Sequence, residues 1–290
     1  MAKTTARRHN TGHVDLRNGD CLALLRTVPD NSVDFIVTDP PYFLDQLGDD
    51  WDDKRINSKI GKAGAIGGLP VGMRFDPQQG RRLEAFFALV SAEAIRILKP
   101  GGFMVAFSQG RLVHRLAVAA EDAGFEIRDQ LIWEHQGGQG KAFTQAHFVQ
   151  RMPITLKQRK AIIAKLDGRK TPQLRPKFEP MILGQKPRTG TFVANWLERQ
   201  TGLVKLEFDD AQQTTVFSYR KPNKSKAFEH MTVKPADMIR RLIEIFTLPG
   251  QTVLDPFMGS GTTAVAALDA GRRVIGFEIE RKYYLNTLKR

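Results

Sequence analysis

Thr252-Val253-Leu254-Asp255-Pro256-Phe257-Met258-Gly259-Ser260-Gly261-Thr262 decides the fold class of this chain. A short apolar run ends in an aspartate, and a proline- and glycine-rich turn follows. The spacing then predicts a helix over Thr263–Ala270, capped by Gly271, and a second strand over Val274–Phe277. Strand, glycine turn, helix and strand make a βαβ unit, whose crossover sets two strands parallel. An open α/β sheet presents its site at the carboxyl ends of such strands. Gly259 and Gly261 let backbone N–H groups come close to a ligand, where any side chain would intrude. Glu278 closes the next strand, 23 residues after Asp255. Nucleotide-binding sheets place a ribose-binding acid at roughly 20 residues. Ile279 then offers an apolar surface for a flat ring. Gly259-Ser260-Gly261-Thr262-Thr263-Ala264 meets the dinucleotide fingerprint only with alanine in the third glycine position, so a dinucleotide enzyme stands here as a rival reading.

Far upstream a second strand edge has the same character. Val33-Asp34-Phe35-Ile36-Val37-Thr38 is an apolar run that ends in Asp39-Pro40-Pro41-Tyr42. Two such edges suggest adjoining pockets for a cofactor and a substrate. Between them, Arg81–Lys99 carries apolar residues at helical spacing and stops at Pro100-Gly101-Gly102. Strands are expected over Phe103–Phe107 and Phe125–Trp133, with a helix over Leu112–Ala123. Met238, Ile239, Leu242, Ile243 and Phe246 mark a helix that starts after Pro235. Phe43–Gly80 is a long glycine-rich stretch in a position to cover the site. The fold class is therefore α/β, a doubly wound mixed sheet.

At these two motifs the chain resembles the amino-methylating DNA methyltransferases of the β group, which use S-adenosylmethionine. The resemblance runs from about Asp15 to Arg290. It implies that Asp39, Pro40, Pro41 and Tyr42 form the catalytic turn. It implies a cofactor loop of Asp255, Pro256, Phe257, Gly259, Ser260, Gly261 and Thr262, with Glu278 and Ile279 beyond it. It also places Asp20, with Cys21 beside it, near the cofactor's adenine amino group, and Lys234 near its methionine carboxylate. The chemistry suits these residue types. An exocyclic amine has its lone pair delocalised into the ring; Asp39 and the Pro40 carbonyl can accept its two hydrogens, and Tyr42 offers a stacking face for a flipped base. Carbon-5 cytosine methylation needs a cysteine after a proline, whereas Cys21 follows Asp20. Within the family an aspartate opening the turn leans to adenine N6. N4-cytosine methylation, RNA adenine methylation and a non-catalytic DNA-binding protein remain the alternatives.

The net charge of +13 is concentrated. Residues 138–228 hold 18 Lys/Arg against 6 Asp/Glu, a balance of +12. Such a balance suits a solvated basic face or a grip on a polyanion. Beside these motifs the expected partner is double-stranded DNA, held by Arg151, Lys157, Arg159, Lys160, Arg169, Lys170, Arg188 and Arg220. The expected organisation is a disordered basic arm (1–12), a catalytic half (13–137), basic DNA-recognition insertions (138–228) with a core strand near 178–187, and a cofactor-binding half (229–290). Little periodicity in the insertions suggests short or relaxed sequence specificity. Six scattered histidines and a lone cysteine give no expectation of a metal site or disulfide. No apolar run approaches the roughly 18–20 residues of a membrane span. The cytoplasm of a bacterial or phage-infected cell is the expected setting, and a homodimer is left open.

Overall fold

In the computed structural model, which describes residues 7–42, 78–136, 142, 144–172, 174–206, 214–222 and 233–290, a nine-stranded mixed sheet carries the fold. In chain order the elements are β1 (Arg7–Asn10), β2 (Val14–Asn18), α1 (Cys21–Leu25), β3 (Val33–Thr38), α2 (Gln79–Ile97), β4 (Leu98–Phe107), α3 (Val113–Asp122) and β5 (Glu126–Glu134). There follow α4 (Ala146–Val149), α5 (Leu156–Leu166), β6 (Phe178–Gln185), α6 (Phe192–Arg199) and β7 (Val216–Ser218). The chain closes with α7 (Ala236–Phe246), β8 (Thr252–Asp255), α8 (Thr262–Asp269), β9 (Arg273–Glu278) and α9 (Arg281–Leu288). The glycine-rich stretch from Phe43 to Gly80 lies, over 43–77, outside the described residues.

The sheet order is β1-β2-β9-β8-β3-β4-β6-β5-β7. Strands β2, β9, β8, β3 and β4 run parallel. The chain leaves β8 in one direction, through α8 to β9, and leaves β3 in the other, through α2 to β4. The reversal between β8 and β3 is the crevice where open α/β sheets bind ligands. Strand β6 runs antiparallel to both β4 and β5, so its first residues return to the carboxyl edge of β4.

Each face of the sheet buries its own core. On one, Met238, Ile239, Leu242, Ile243 and Phe246 of α7 pack with Phe35, Phe103, Phe107 and Val253. On the other, Leu83, Phe87, Val90, Ala94 and Ile97 of α2 pack with α1, α3, Ile36 and Met104. Fully burying one such side chain contributes about 1.5–3 kcal/mol. This is the apolar spacing of the sequence converted into packing.

The chain divides into two compact units: residues 1–134 with 178–290, which hold the whole sheet, and His135–Lys177. The second unit contains α4 and α5 and a bridge between Thr144 and Lys170. It holds ten Lys/Arg and one acid, Asp167. The expectation of weak regular structure in the basic middle needs correction. Thr155 and Gln158 form a capping box that starts α5, and Asp167, in the left-handed region, ends it. Thr191 caps α6 by accepting from the Ala194 N–H. These short polar caps satisfy free N–H groups of helices that bury no apolar side chain. The terminal arm also differs from expectation. Arg7–Asn10 pairs with β2 as a strand, and the Arg8 guanidinium grips both oxygens of Asp15 at 2.8 and 2.7 Å.

Candidate active site

The two sequence motifs meet side by side. Strand β3 ends at Thr38 and neighbouring β8 at Asp255, and the Thr38 hydroxyl donates to Asp255 Oδ1 at 3.0 Å. Asp255 is buried and also accepts from the Phe257 N–H at 3.0 Å and, on Oδ2, from the Thr263 hydroxyl at 2.7 Å. Its carboxyl therefore ties together the end of β3, the glycine loop and the first turn of α8. Burial pushes it up to about 6, although those three donors pull the other way.

Gly259 and Gly261 adopt left-handed backbone, at φ 53° and 82°. A Cβ at Gly261 would lie 2.6 Å from Cγ2 of Thr287 in α9, and one at Gly276 would lie 2.0 Å from Met258 Cε. The loop thus folds flat onto β9 and α9 because those positions carry no side chain. Ser260 and Thr262 are buried, Pro256 is buried, and the half-buried Phe257 ring packs on Phe86 at 5.8 Å. Glu278 ends β9 beside this loop. Its Oε2 accepts from the Gly259 N–H and its Oε1 from the Glu280 N–H, both at 2.8 Å. Burial pushes the carboxyl up to about 7, with the charges of Glu280 and Asp255 adding to the effect. Each oxygen keeps a second lone pair for an outside donor. Ile279 is 62% exposed, open to a planar partner.

Asp20 follows β2 and caps α1, its Oδ1 accepting from the Ala23 N–H at 2.9 Å. Cys21 is buried at the head of α1. Burial first, and the charge of Asp20 second, push its thiol up to about 12, so it stays protonated. The carboxyl edge of the sheet thus brings Asp20, Glu278, Asp255 and Asp39 together on four neighbouring parallel strands.

In the turn after β3 Pro40 is buried, while Pro41 and Tyr42 are half-buried. The Tyr42 hydroxyl donates a short hydrogen bond to Asp39 Oδ1. Its carbonyl accepts from Gln79 Nε2 at 2.5 Å, and Arg111 in turn holds the Gln79 side-chain oxygen. Burial, then the Asp39 charge, raises the Tyr42 phenol well above its ordinary value.

The Lys234 ammonium reaches the turn that follows β3, 2.6 Å from Asp39 Oδ2 and 3.2 Å from Glu179 Oε2. Two neighbouring carboxylates draw one cation there. Burial opposes its charge, yet the two acids more than compensate and leave the ammonium's pKa raised. Glu179 reaches this point because β6 is antiparallel, and its other oxygen accepts from Lys221 at 3.0 Å. Glu179 was not among the residues anticipated from sequence. A single acid in the run Phe178-Glu179-Pro180-Met181-Ile182-Leu183 was the available signal.

A family model described as DNA methylase matches residues 33–289. The chain belongs to the N6/N4 DNA methylase family. The methylase is 30% identical to the Type II methyltransferase M.HindIII of Haemophilus influenzae over 292 residues, covering 92% of this chain and 91% of that protein. Its fold is similar to that of M1.HpyAVI in its SAM complex (TM-score 0.59, 18% identity, 95% of this chain and 98% of that one). It is also similar to PvuII DNA methyltransferase, described as cytosine-N4-specific (TM-score 0.60, 16% identity, 96% and 86%).

The basic residues of the methylase divide by environment. In the second unit Arg151, Lys157, Lys160, Arg169 and Lys170 are exposed, whereas Arg159 is half-buried and donates to the Met152 carbonyl at 3.2 Å. In the sheet unit Arg220 is exposed, and the Arg188 guanidinium lies over the Phe192 ring at 4.0 Å. Asn195 of α6, in the basic middle of the chain, is fully buried. Its oxygen accepts from the Thr189 N–H, and its amide donates to the Pro100 and Thr201 carbonyls. Those bonds make it a brace for the chain around α6. Among the described residues no group of three His, Cys, Asp or Glu side chains is placed to hold a metal ion, and no helix is long and apolar enough to cross a membrane.

Proposed function

We propose that this DNA methylase transfers a methyl group from S-adenosylmethionine to the exocyclic N6 of adenine in double-stranded DNA. The observation that carries this reading is the Thr38–Asp255 hydrogen bond, which locks an amine-accepting turn beside a glycine loop suited to a nucleoside. Bound S-adenosylmethionine supplies an electrophilic methyl carbon on a sulfonium. The residues present fit that group. Glu278 has lone pairs left for ribose hydroxyls, Gly259 and Gly261 leave backbone space, and exposed Ile279 and Asp20 flank the adenine end. The loop residues Asp255, Pro256, Phe257, Ser260 and Thr262 shape the cradle, Asp255 from inside.

Asp39 and the Pro40 carbonyl accept the two hydrogens of the target amine. That favours a pyramidal nitrogen whose lone pair points at the methyl carbon. The Tyr42 ring stacks on a base taken out of the duplex. Catalysis is positioning and electrostatics, with no covalent enzyme intermediate. The second unit, with nine more basic than acidic residues, grips phosphates. Its size, 43 residues from His135 to Lys177, suits a short recognition sequence. The setting is the cytoplasm of a bacterial or phage-infected cell.

An aspartate at the head of the turn favours adenine over cytosine, while the family covers both bases. Incubation with methyl-labelled S-adenosylmethionine and unmethylated DNA, digestion to nucleosides and mass spectrometry tests the reading. N6-methyldeoxyadenosine is expected. N4-methyldeoxycytidine would transfer the activity to cytosine, and unlabelled DNA would leave a binding protein.

A further inference from the structure

Both oxygens of Asp39 are already engaged. The Tyr42 hydroxyl donates to Oδ1, and the Lys234 ammonium donates to Oδ2 at 2.6 Å. Each oxygen keeps a second lone pair, so an entering amine is opposed by the charge of a donor already there rather than by a lack of acceptors, and a donor that yields needs another acceptor. Tyr42 is held at its backbone by Gln79, and among the described residues its hydroxyl has no other acceptor. Lys234 does have one. Its ammonium already bridges to Glu179 Oε2 at 3.2 Å and sits 4.9 Å from the centre of the Phe107 ring. It can pass wholly to Glu179 without leaving its aromatic seat.

The charges favour that exchange. Methyl transfer would form the nitrogen–methyl bond as the sulfur–methyl bond breaks to leave a neutral thioether, and the positive charge then on the target nitrogen would leave as a proton to solvent. An ammonium fixed on Asp39 would oppose that charge at close range. The same ammonium on Glu179 leaves Asp39 as a free carboxylate facing the amine. Without DNA, the ammonium keeps two half-buried carboxylates from standing side by side without a cation between them.

We propose that Lys234 is a place-holding cation. In the DNA-free enzyme it occupies on Asp39 the position that the target amino group takes, and Glu179 receives it as the base enters. Glu179 is then a positioning residue that acts through Lys234. This rests on the reading of Asp39 as the acceptor for the target amine.

Glu179→Gln in the full chain tests it. The amide keeps the shape but no longer draws the ammonium away from Asp39. The kcat for methylation of unmethylated DNA should fall at least tenfold, with the Kd for S-adenosylmethionine and for DNA within twofold of wild type. Glu179→Asp should restore most of the rate. Lys234→Met added to Glu179→Gln removes the cation that blocks Asp39, so the double variant should turn over faster than Glu179→Gln alone. Wild-type kcat in Glu179→Gln, or a double variant no faster than that single one, would overturn the proposal.

If Glu179→Gln does not fold, the pH profile of Lys234→Met decides. Asp39 and Glu179 then lose their shared cation, with Lys221, Tyr42 and Asp255 the other ionisable groups around them. The acid limb of kcat should move to higher pH. An unmoved limb, or a tenfold loss of S-adenosylmethionine affinity in Lys234→Met, would place Lys234 elsewhere in the mechanism. Asp39→Ala is run in parallel. Turnover retained in that variant removes the underlying reading of Asp39, an outcome distinct from the failure of the exchange.

Discussion

Glu278→Gln is the most informative single change, because it separates the stability of the cofactor-free protein from its affinity for the cofactor. Burial holds the Glu278 carboxyl at about 7, against an ordinary 4.5. That difference makes its ionised form about 3 kcal/mol less favourable in the folded protein than in the open chain. The sign follows from proton counts. Between pH 4.5 and 7 the folded state keeps a proton that the unfolded chain has released, so stability falls as pH rises through this window. Below 4.5 both states are protonated and the penalty vanishes. Glutamine is neutral at every pH and escapes the penalty. It has one acceptor oxygen, however, so either the Gly259 or the Glu280 N–H loses its partner, at a cost of about 1 kcal/mol. The cofactor-free variant should therefore be about 2 kcal/mol more stable than wild type at pH 8, and no more stable than wild type near pH 4.5. In thermal unfolding the gain at pH 8 corresponds to about 4 °C. Its affinity for S-adenosylmethionine at pH 8 should nevertheless fall at least tenfold, because the ribose hydroxyls lose a carboxylate. Melting curves at both pH values and calorimetric titration at pH 8 check this. A shift in Tm that is the same at both pH values, or a less stable variant at pH 8, would refute the account of Glu278 as an ionised, poorly solvated acid.

Asp39→Ala should reduce methyl transfer below a few per cent of wild type while S-adenosylmethionine affinity stays within a few-fold, since the glycine loop is on the neighbouring strand; single-turnover assays and equilibrium binding measure the two separately. DNA affinity should fall steeply with salt. At least roughly four phosphate contacts give a log–log slope of about −3.6 or steeper, and a slope near zero would remove the basic unit from the interface. Replacing Lys157, Lys160, Arg169 and Lys170 together should flatten that slope while leaving the Kd for S-adenosylmethionine unchanged. Sequencing that detects modified bases, on DNA from cells expressing the chain, should show a motif of about four base pairs or fewer; a motif of six or more defined bases would contradict the argument from the small size of the second unit.

Much of the site was legible in sequence because its signals are local. A strand followed by a turn that needs proline or glycine leaves its mark in consecutive residues, as at Thr38–Tyr42 and Leu254–Thr262. The strong apolar spacing of α2 and α7 likewise announced two helices and the faces they bury. Helices α5 and α6 were less legible, since they are short, start on the hydroxyls of Thr155 and Thr191, and bury no apolar side chain against the sheet. Composition located a basic segment, but burial decided the fate of individual members: Arg159 is half-buried on the Met152 carbonyl, while Lys157 and Lys160 face solvent. Sequence by itself thus determined the fold class, the two strand-end motifs and the charge of the middle region. Only the tertiary structure decided which groups meet across the sheet. Thr38 finds Asp255 because β3 and β8 are neighbours at the point where the strand order reverses. Glu179 shares the Lys234 ammonium with Asp39 because β6 runs antiparallel and returns its first residues to the carboxyl edge. Residues 39, 179 and 234 carry no mark of one another along the chain, since ionic partners are chosen by proximity in space.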